Sequence, residues 1–533
     1  MRKIRQVGLI CQITAVILFV FLSCDTLRAQ TDIAIETDNL QVAFHPESTR
    51  VSTWNIDIGD DLSGPRRHSI VTFAKNGRPK SRHLSIDGIE IKNGKWEKTS
   101  GHEGIVFSGI SADGRLAIQK KLVPDKKYRL LLRIEIENAS ASPVNLPDGV
   151  RIIIGPGLGE YPVEGFGIFE GMYSFVEPVV SSEEKVSRIA IENGPEPQAA
   201  SFPEASWYGL HSRYFALLLQ PAATGANAPT KLGFQYPAPD SPNGLPKRYL
   251  PLLWADLGID QLDSGQTAER TFHVFSGPKT TAALKSEHAD FSGLLFSGLW
   301  RWMALLCLGL LWLLNTIHSF IPSWGASIIV LAVLVRMAMY PLARRALSSQ
   351  KAFAEVQKKI QPEMRRIKAA YKGGEQSERI LKLYEHHGVS PLAGLKPLLI
   401  VLVQLPIFIA LFHVLGQAFE LMNAPFLWIE TLSAPDRTFH LGVNLPYFGQ
   451  YFNVLPVLMA ATTLLTIKMS PAPAADKSSG TRQNIFLAVV AISFFLLFYS
   501  FPSGMVLYWA MANVLHLIQQ RVVEAGGARL AKA

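Results

Sequence analysis

The 533-residue sequence is poor in charged residues and in cysteine, and both shortages narrow what it can encode. Charged residues make up 18% and aromatic residues 10%, a balance that excludes an intrinsically disordered chain. The three cysteines lie in or beside apolar runs, so a disulfide framework is excluded as well. Hydrophobic residues reach 48% and concentrate at the N-terminus and in about the last 240 positions, in runs long enough to cross lipid. The sequence therefore predicts a membrane protein with a large soluble insert.

Motifs for catalysis are lacking too. The chain has no nucleophile elbow, no HExxH, no phosphate-binding loop and no pair of aspartates within an apolar run. His413 and His516 belong to different apolar runs, and a lone histidine there is more often packed or hydrogen-bonded than a metal ligand. We therefore expect no enzyme activity, no catalytic residue, no metal and no cofactor.

The soluble insert, residues 31–285, has the pattern of a β-domain. Leu130, Leu132, Ile134 and Ile136 alternate with more polar residues, which predicts a half-buried strand over residues 128–137. A strand over residues 115–123 joins it through a turn at residues 124–126, as in a hairpin. The insert is thus predicted to form one large antiparallel β-sandwich. Further strands are expected over residues 41–44, 150–154, 231–236 and 270–275.

Charge placement predicts the topology. Residues 342–396 hold twelve basic and five acidic residues, which gives +7 of the chain's net charge of +9. Basic loops beside membrane spans stay in the cytoplasm. Residues 344–396 carry two helical stretches separated by Gly373 and Gly374, so we expect a cytoplasmic antiparallel helical hairpin. Anionic lipid or a ribosome is the expected contact, and nucleic acid is not, because no recognition motif is present.

Six spans are predicted, with both chain ends in the cytoplasm. The first lies within residues 1–30 and is interpreted as an uncleaved signal anchor. Within residues 286–323, the apolar stretch 302–314 covers only about 20 Å against about 30 Å of hydrocarbon, so it is expected to lie in the outer interface. The remaining five spans are expected at residues 324–342, 397–419, 452–469, 484–501 and 504–520, within a core of residues 324–533.

Three polar residues in these spans share one depth. Arg336, Gln404 and Asn513 each lie eight positions, about 12 Å along a helix, from a basic residue at the cytoplasmic end of their span. An arginine at mid-bilayer costs at least about 2.5 to 3.5 kcal/mol, a cost that a water-filled cavity largely removes. We expect the three side chains to line such a cavity, open to the cytoplasm. The alternative is that Arg336 snorkels to the interface.

Several stretches of the sequence resemble the YidC membrane protein insertase family. The resemblance covers almost the whole chain in order: first span, β-domain, interfacial helix and five-span core. It is carried by WGASII at 324–329, VR at 335–336, YPL at 340–342, SPLAG at 390–394, QLPIFIAL at 404–411, NAPF at 423–426, KMSP at 468–471 and FPSGMVLY at 501–508.

The resemblance implies a function in the bacterial inner membrane, with residues 31–285 as a periplasmic domain. Arg336 would attract a polar, often acidic, segment of a client protein into a hydrophilic groove, and Gln404 and Asn513 would form hydrogen-bonding groove walls. The client's apolar helix would slide along the third and fifth spans into lipid. Nascent membrane proteins are thus the expected substrates, with the Sec translocon, a ribosome and the lipid bilayer as expected partners. The candidate slide residues are Leu402, Phe408, Phe494 and Leu497.

Two other functions stay open on the sequence. One is a transporter of small anions that uses Arg336 as the binding charge. The other is a carbohydrate-binding or sugar-modifying protein that works through the β-domain, although no carboxylate pair can be singled out there.

Overall fold

The computed structural model divides the chain into two compact units, with the boundary at Gly277 and Pro278. The expected first span, residues 1–30, and the SPLAG stretch lie outside the residues that the structure describes. Those residues are 33–44, 49–58, 67–71, 81–94, 96–101, 104–159, 175–182, 185–189, 198–202, 205–222, 231–235, 250–386, 396–469 and 480–530.

The first unit is a β-domain whose described residues form twenty strands in four sheets. The largest sheet has nine strands in the order β13-β12-β15-β16-β20-β9-β8-β7-β6, and the others have the orders β14-β17-β18-β11-β5, β1-β2-β3-β4 and β10-β19. The strands are β1 (Ile33–Glu36), β2 (Leu40–Phe44), β3 (Val51–Asp57), β4 (Arg67–Ser69), β5 (Ser85–Asp87), β6 (Glu97–Gly101), β7 (Gly104–Ile110), β8 (Leu116–Lys126), β9 (Arg129–Asn138), β10 (Val144–Asn145), β11 (Arg151–Ile154), β12 (Val176–Ser182), β13 (Lys185–Arg188), β14 (Gln198–Ala200), β15 (Ala205–Ser212), β16 (Phe215–Pro221), β17 (Leu232–Gln235), β18 (Leu252–Asp256), β19 (Gln261–Leu262) and β20 (Thr267–Pro278).

The predicted hairpin is confirmed, with a shifted turn. Strands β8 and β9 pair antiparallel, and the four alternating apolar residues of β9 are fully buried. The turn was expected at residues 124–126, but β8 continues through Pro124 to Lys126. The ladder register shifts between Pro124 and Lys126, which lets a residue without an N–H group lie within a strand.

A lysine lies in the core of the β-domain. Lys120 of β8 is fully buried, and its Nζ donates hydrogen bonds to the carbonyl oxygens of Leu84 at 2.5 Å and Thr49 at 3.3 Å. Its Nζ also lies 5.8 Å and 5.6 Å from the ring centroids of Phe44 and Phe107. Burial disfavours the charged form, and it lowers the pKa of Lys120 from 10.5 to about 7.

The second unit is helical, with one small hairpin of strands. The hairpin, in the loop that was expected to lie outside, was not foreseen. The elements are α1 (Thr281–Glu287), α2 (Arg301–Phe320), α3 (Trp324–Ala370), α4 (Gly373–His386), α5 (Lys396–Gln417), β21 (Phe439–Leu445), β22 (Gly449–Phe452), α6 (Val454–Met469), α7 (Gly480–Phe498) and α8 (Ser503–Leu530).

Helix α2 is longer than the apolar stretch 302–314 from which it was predicted. Thr316 and Ser319 direct their hydroxyls back to the carbonyls of Trp312 and Thr316, at 2.8 and 2.7 Å, so polar residues continue the helix instead of ending it. The helix ends only before Pro322. Its 20 residues span about 30 Å, so the statement that this helix is too short to cross the bilayer was wrong.

Helix α3 merges two predicted elements. The span expected at residues 324–342 and the first arm of the cytoplasmic hairpin form one 47-residue helix that contains Pro341 and Pro362. The two had been predicted as separate elements, and neither proline ends the helix, because proline within a helix can bend it without ending it. The helix ends at Ala370, and Gly373, with φ of +66°, begins α4.

Two described helices are long and apolar enough to cross a membrane, judged by length and composition: α2 and the Trp324–Pro341 part of α3. Shorter apolar stretches occupy Gln404–Gln417, Val454–Met469 and Ala488–Phe498. The six-span topology therefore stays a prediction. Helix α8 packs against α3, α5 and α6, and α5 also packs against α2 and α3.

Candidate functional site: a cavity among four helices

A cavity of about 390 Å³ opens among α3, α5, α6 and α8. The three polar residues predicted at a common depth all line it. Its lining residues are Arg336, Gln404, Leu405, Phe408, Thr466, Tyr508, Trp509, Ala512, Asn513 and His516.

Arg336 is the only arginine, lysine, aspartate or glutamate in this lining. Tyr508 and His516 of α8 line the same cavity. No carboxylate of the described residues forms an ion pair with Arg336. The cavity thus presents a positive charge without a counter-ion from the described part of the chain, which suits an incoming anionic group.

Asn513 is held in place by a short hydrogen-bond chain. Its Nδ2 donates to Thr463 Oγ1 at 2.8 Å, and that hydroxyl donates to the carbonyl of Met459 one turn earlier on α6, also at 2.8 Å. The amide orientation is therefore set by α6, and the Asn513 carbonyl oxygen remains available as an acceptor. Thr466, one turn further along α6, lies at the cavity itself.

The apolar wall of the cavity is aromatic. Trp509 lies at its centre, with ring centroids of Phe408 at 4.6 Å, Phe498 at 5.2 Å and Phe494 at 6.0 Å. Two of the four candidate slide residues, Phe408 of α5 and Phe494 of α7, thus meet at one indole. Leu497 on α7 is 41% exposed. Leu402 lies on α5, but its side chain is outside the described residues.

The N-terminal ends of α3 and α8 are sealed by the loop that follows α5. A Cβ at Gly325 would lie 2.0 Å from the Phe426 ring, so only glycine lets that ring pack against α3. Ser503 Oγ donates to the carbonyl of Thr431 at 2.8 Å, and the Gly504 N–H donates to Leu432 at 2.9 Å. These contacts give the glycines of the WGASII and FPSGMVLY stretches a packing role.

Comparisons with known proteins cover both units. A family model described as "60Kd inner membrane protein" matches residues 316–529, and one described as "YidC periplasmic domain" matches residues 91–312. The chain belongs to the YidC family of membrane protein insertases. It is 29% identical to the membrane protein insertase YidC of Francisella tularensis subsp. tularensis over 87% of this chain and 76% of that one.

The YidC of Janthinobacterium sp. is 26% identical over 94% of this chain and 83% of that one. A solved structure described as an active YidC insertase with the first transmembrane domain resolved covers 92% of each chain at 17% identity, with a TM-score of 0.36. The relatives are named membrane protein insertases, so the chain is assigned to a non-enzymatic family of inner-membrane proteins.

Several residues of the helical cavity were not predicted from the sequence. Thr463 and Thr466 were not singled out, although two threonines three positions apart in an apolar stretch share a helix face and could have been noticed. Tyr508 was noted only as part of a family stretch and His516 only as a lone histidine, and Trp509 was not singled out. Their convergence depends on how four helices pack, which no periodicity within one helix specifies.

The β-domain has a cavity of its own, of about 430 Å³, on the five-stranded sheet. Arg151 lies with its guanidinium 4.3 Å from the Trp254 ring there, and Asp87 pairs with Arg82 at 3.3 Å. Asp87 is the single carboxylate among the described lining residues. Sugar hydrolysis normally uses two carboxylates, so this lining does not favour the sugar-modifying alternative.

Proposed function

We propose that the chain inserts inner-membrane proteins, and helps them to fold, through a hydrophilic groove that contains the cavity at Arg336. The observation that carries this proposal is a single cation, without an acidic partner among the described residues, in a cavity that also presents Gln404 and Asn513. A client segment with polar or acidic residues would enter the groove from the cytoplasm. Arg336 would attract it, while the two amides replace hydrogen bonds that the segment had made with water.

The driving force would come from the client and the membrane. Opposite charges 4 Å apart attract by about 1 kcal/mol in water and about 4 kcal/mol at an effective dielectric constant of about 20. Moving the client's apolar helix from the cavity into lipid would then favour release, and the membrane potential adds about 2.3 kcal/mol per charge for each 100 mV. The sequence has no phosphate-binding loop, so the proposal assigns no step to nucleotide hydrolysis.

The aromatic wall suggests the exit route. Phe408 and Phe494 come from α5 and α7, the third and fifth predicted spans, and both contact Trp509. We propose that a client helix moves along these two helices, past Phe408, Phe494, Leu402 and Leu497, because an aromatic and aliphatic surface offers contacts equivalent to those of acyl chains.

Topology and partners belong to the same proposal. We infer six spans with both chain ends in the cytoplasm, and residues 344–396 as a basic cytoplasmic hairpin that contacts a ribosome or anionic lipid. The chain would work alone or beside the Sec translocon.

Reconstitution tests the function against the transporter alternative. Purified full-length chain in vesicles should promote insertion of a small client with an acidic tail and should not promote uptake of small anions such as chloride or phosphate. Arg336→Ala vesicles provide the control at equal protein content. Anion uptake that depends on Arg336, without client insertion, would favour the transporter.

A further inference from the structure

The hairpin of β21 and β22 is fixed to the end of α7. The Tyr447 hydroxyl donates to the carbonyl of Leu496, and the Phe448 ring packs edge-on against Tyr499 with centroids 4.8 Å apart. The Tyr499 hydroxyl donates in turn to the carbonyl of Tyr451 at 2.7 Å. Both the turn and the second strand are thus attached to the last turns of α7, so the hairpin has a definite position on the helical unit.

The hairpin exposes an apolar surface that we call the hairpin patch. Apolar residues alternate with polar residues or glycine along β21, yet every residue of this strand is exposed. A two-stranded hairpin is marginally stable alone in water, and an exposed apolar strand edge favours aggregation. We therefore expect that a binding partner covers this apolar surface. The hairpin patch consists of Phe439, Leu441, Val443, Leu445, Tyr447 and Phe452.

The hairpin patch continues an apolar stripe on α7. Ile485, Val489, Ile492 and Leu496 are spaced by four, three and four residues, which places them on one face of the helix, and all four are exposed. The stripe ends at Leu496, whose carbonyl accepts the Tyr447 hydroxyl. On the proposed topology α7 is a span, so this stripe faces acyl chains, and the hairpin patch begins where the stripe stops.

We propose that the hairpin patch binds the outer leaflet of the bilayer, at the boundary between phospholipid headgroups and acyl chains. The backbone of the hairpin limits how deeply it can enter the bilayer. The outer edges of a two-stranded hairpin carry unpaired N–H and C=O groups, which cannot enter hydrocarbon, so the strands lie among headgroups and only their side chains reach the acyl chains. Tyrosine suits this boundary because it joins an apolar ring to a polar hydroxyl.

The charges of the hairpin segment are compatible with binding to a phospholipid surface. Residues 437–452 contain one basic residue, Arg437, and no acidic residue, so nothing in this segment repels phosphate groups. The Arg437 guanidinium lies 5.5 Å from the ring centroid of Tyr451, the partner of His440 on the other face of the hairpin. The proposal rests on the outer location of this loop in the proposed function, and it adds a lipid-binding role that insertion itself does not require.

Spin labelling of the full-length chain tests the proposal. In a background in which the three native cysteines are replaced by alanine, a nitroxide is attached to the Val443→Cys variant in vesicles of phosphatidylethanolamine and phosphatidylglycerol. Two controls carry the label at Ile492, on the α7 stripe, and at Ile110, which is 53% exposed in the β-domain. Collisions of the label with oxygen, which concentrates in lipid, and with a water-soluble nickel chelate are measured.

We expect the ratio of oxygen to nickel collisions at position 443 to be at least about five times that at position 110, and to approach that at position 492. A second label at Leu441 gives an independent reading if the first disturbs folding. A water-like result at 441 and 443 with a lipid-like result at 492 would overturn the lipid proposal alone, as would shielding from both reagents, which indicates a protein partner. A water-like result at 492 would instead contradict the span on which the proposed function depends.

Discussion

Arg336 is the residue on which the proposed function depends, and we predict that it acts through its charge. A wet cavity lets a cation attract an acidic client over several ångströms, and lysine supplies the same charge, whereas the guanidinium fork matters for fixed bidentate recognition. Arg336→Lys should therefore keep most insertion of clients with acidic tails. Arg336→Ala should lose about 1 to 4 kcal/mol of attraction, which slows their insertion at least about fivefold.

The measurement uses matched clients that differ only in tail charge, at equal amounts of folded variant. Clients with neutral tails serve as the control and should be affected least. If lysine and alanine variants lose insertion equally, or if acidic and neutral tails suffer alike, the charge does not attract clients and Arg336 is a packing or snorkelling residue.

Lys120 should give the β-domain an unusual pH dependence. Its pKa is lowered to about 7 by burial, so between pH 7 and 10.5 the folded domain binds fewer protons at this site than the unfolded chain. The free energy of unfolding should therefore rise with pH across this range, by up to about 1.4 kcal/mol per pH unit. Lys120→Met should remove that rise.

Pulse proteolysis of the full-length chain in detergent, scored on the β-domain fragment across denaturant, measures this free energy. Lys126→Met is the matched control, because Lys126 is an exposed lysine on the same strand. A slope that survives in Lys120→Met, or that disappears equally in Lys126→Met, would mean that other groups cause the pH dependence.

At the residue scale, three of the polar residues that line the cavity were predictable from the sequence, but the contacts that hold them were not. Arg336, Gln404 and Asn513 share a depth that counting residues from the basic ends of their spans reveals. The bond from Asn513 to Thr463 joins residues 50 positions apart, and helix periodicity carries no information about such a pair.

At the scale of elements, the contact between α3 and the loop after α5 should be sensitive to volume. Gly325→Ala places a methyl group where the Phe426 ring lies, which should cost about 1 to 3 kcal/mol of stability. Gly309→Ala on α2 meets nothing within 4 Å, so it should be neutral or stabilising by up to about 1 kcal/mol. Thermal stability of the purified chain in detergent, followed by size-exclusion chromatography after heating, measures both.

Phe426→Ala combined with Gly325→Ala should recover part of the stability that Gly325→Ala loses, because it removes the ring that clashes with the new methyl. A Gly325→Ala variant as stable as Gly309→Ala would show that the loop yields easily and does not seal this end of the helices.

Cysteines placed in two segments that connect predicted spans should react with a labelling reagent from opposite sides of the membrane. Ser377 on α4 and Asn444 in the hairpin of β21 and β22 are both exposed. In a background without native cysteines, Ser377→Cys should react only after the cytoplasmic side is opened, and Asn444→Cys should react in intact spheroplasts with an impermeant maleimide. Outside labelling of Ser377→Cys would mean that α2 spans the membrane and that the charge-based topology is wrong.

Elements were predictable where one pattern dominates. The alternation of apolar residues in β9 and the break between α3 and α4 at Gly373 were predictable from the local sequence. The length of α2 and the continuity of α3 from span to hairpin arm were not predicted, because side-chain hydroxyls that bond back to the helix, and a proline within it, both allow a helix to continue where composition suggests a stop.

At the scale of the whole molecule, the cavity and the β-domain belong to different compact units. All ten residues that line the helical cavity follow position 335, so we predict that the β-domain is dispensable for insertion. Replacing residues 34–277 with a flexible glycine and serine linker should leave an active, membrane-embedded core, with insertion within about threefold of the full chain. Loss of insertion at normal abundance and topology would show that the domain takes part in the reaction.

Because α3 is one continuous helix, a tilt about Pro341 would displace the residues on its two sides by different distances. Arg336 lies five residues, about 7.5 Å, on one side, and the helix extends 29 residues, about 43 Å, on the other. A 10° tilt of the whole helix about this point would carry the distal end about 7.5 Å while shifting the backbone at Arg336 by only about 1.3 Å. On the proposed topology, the part of α3 beyond Pro341 would thus follow a moving cytoplasmic partner over a wide arc while the charge in the cavity stays nearly still.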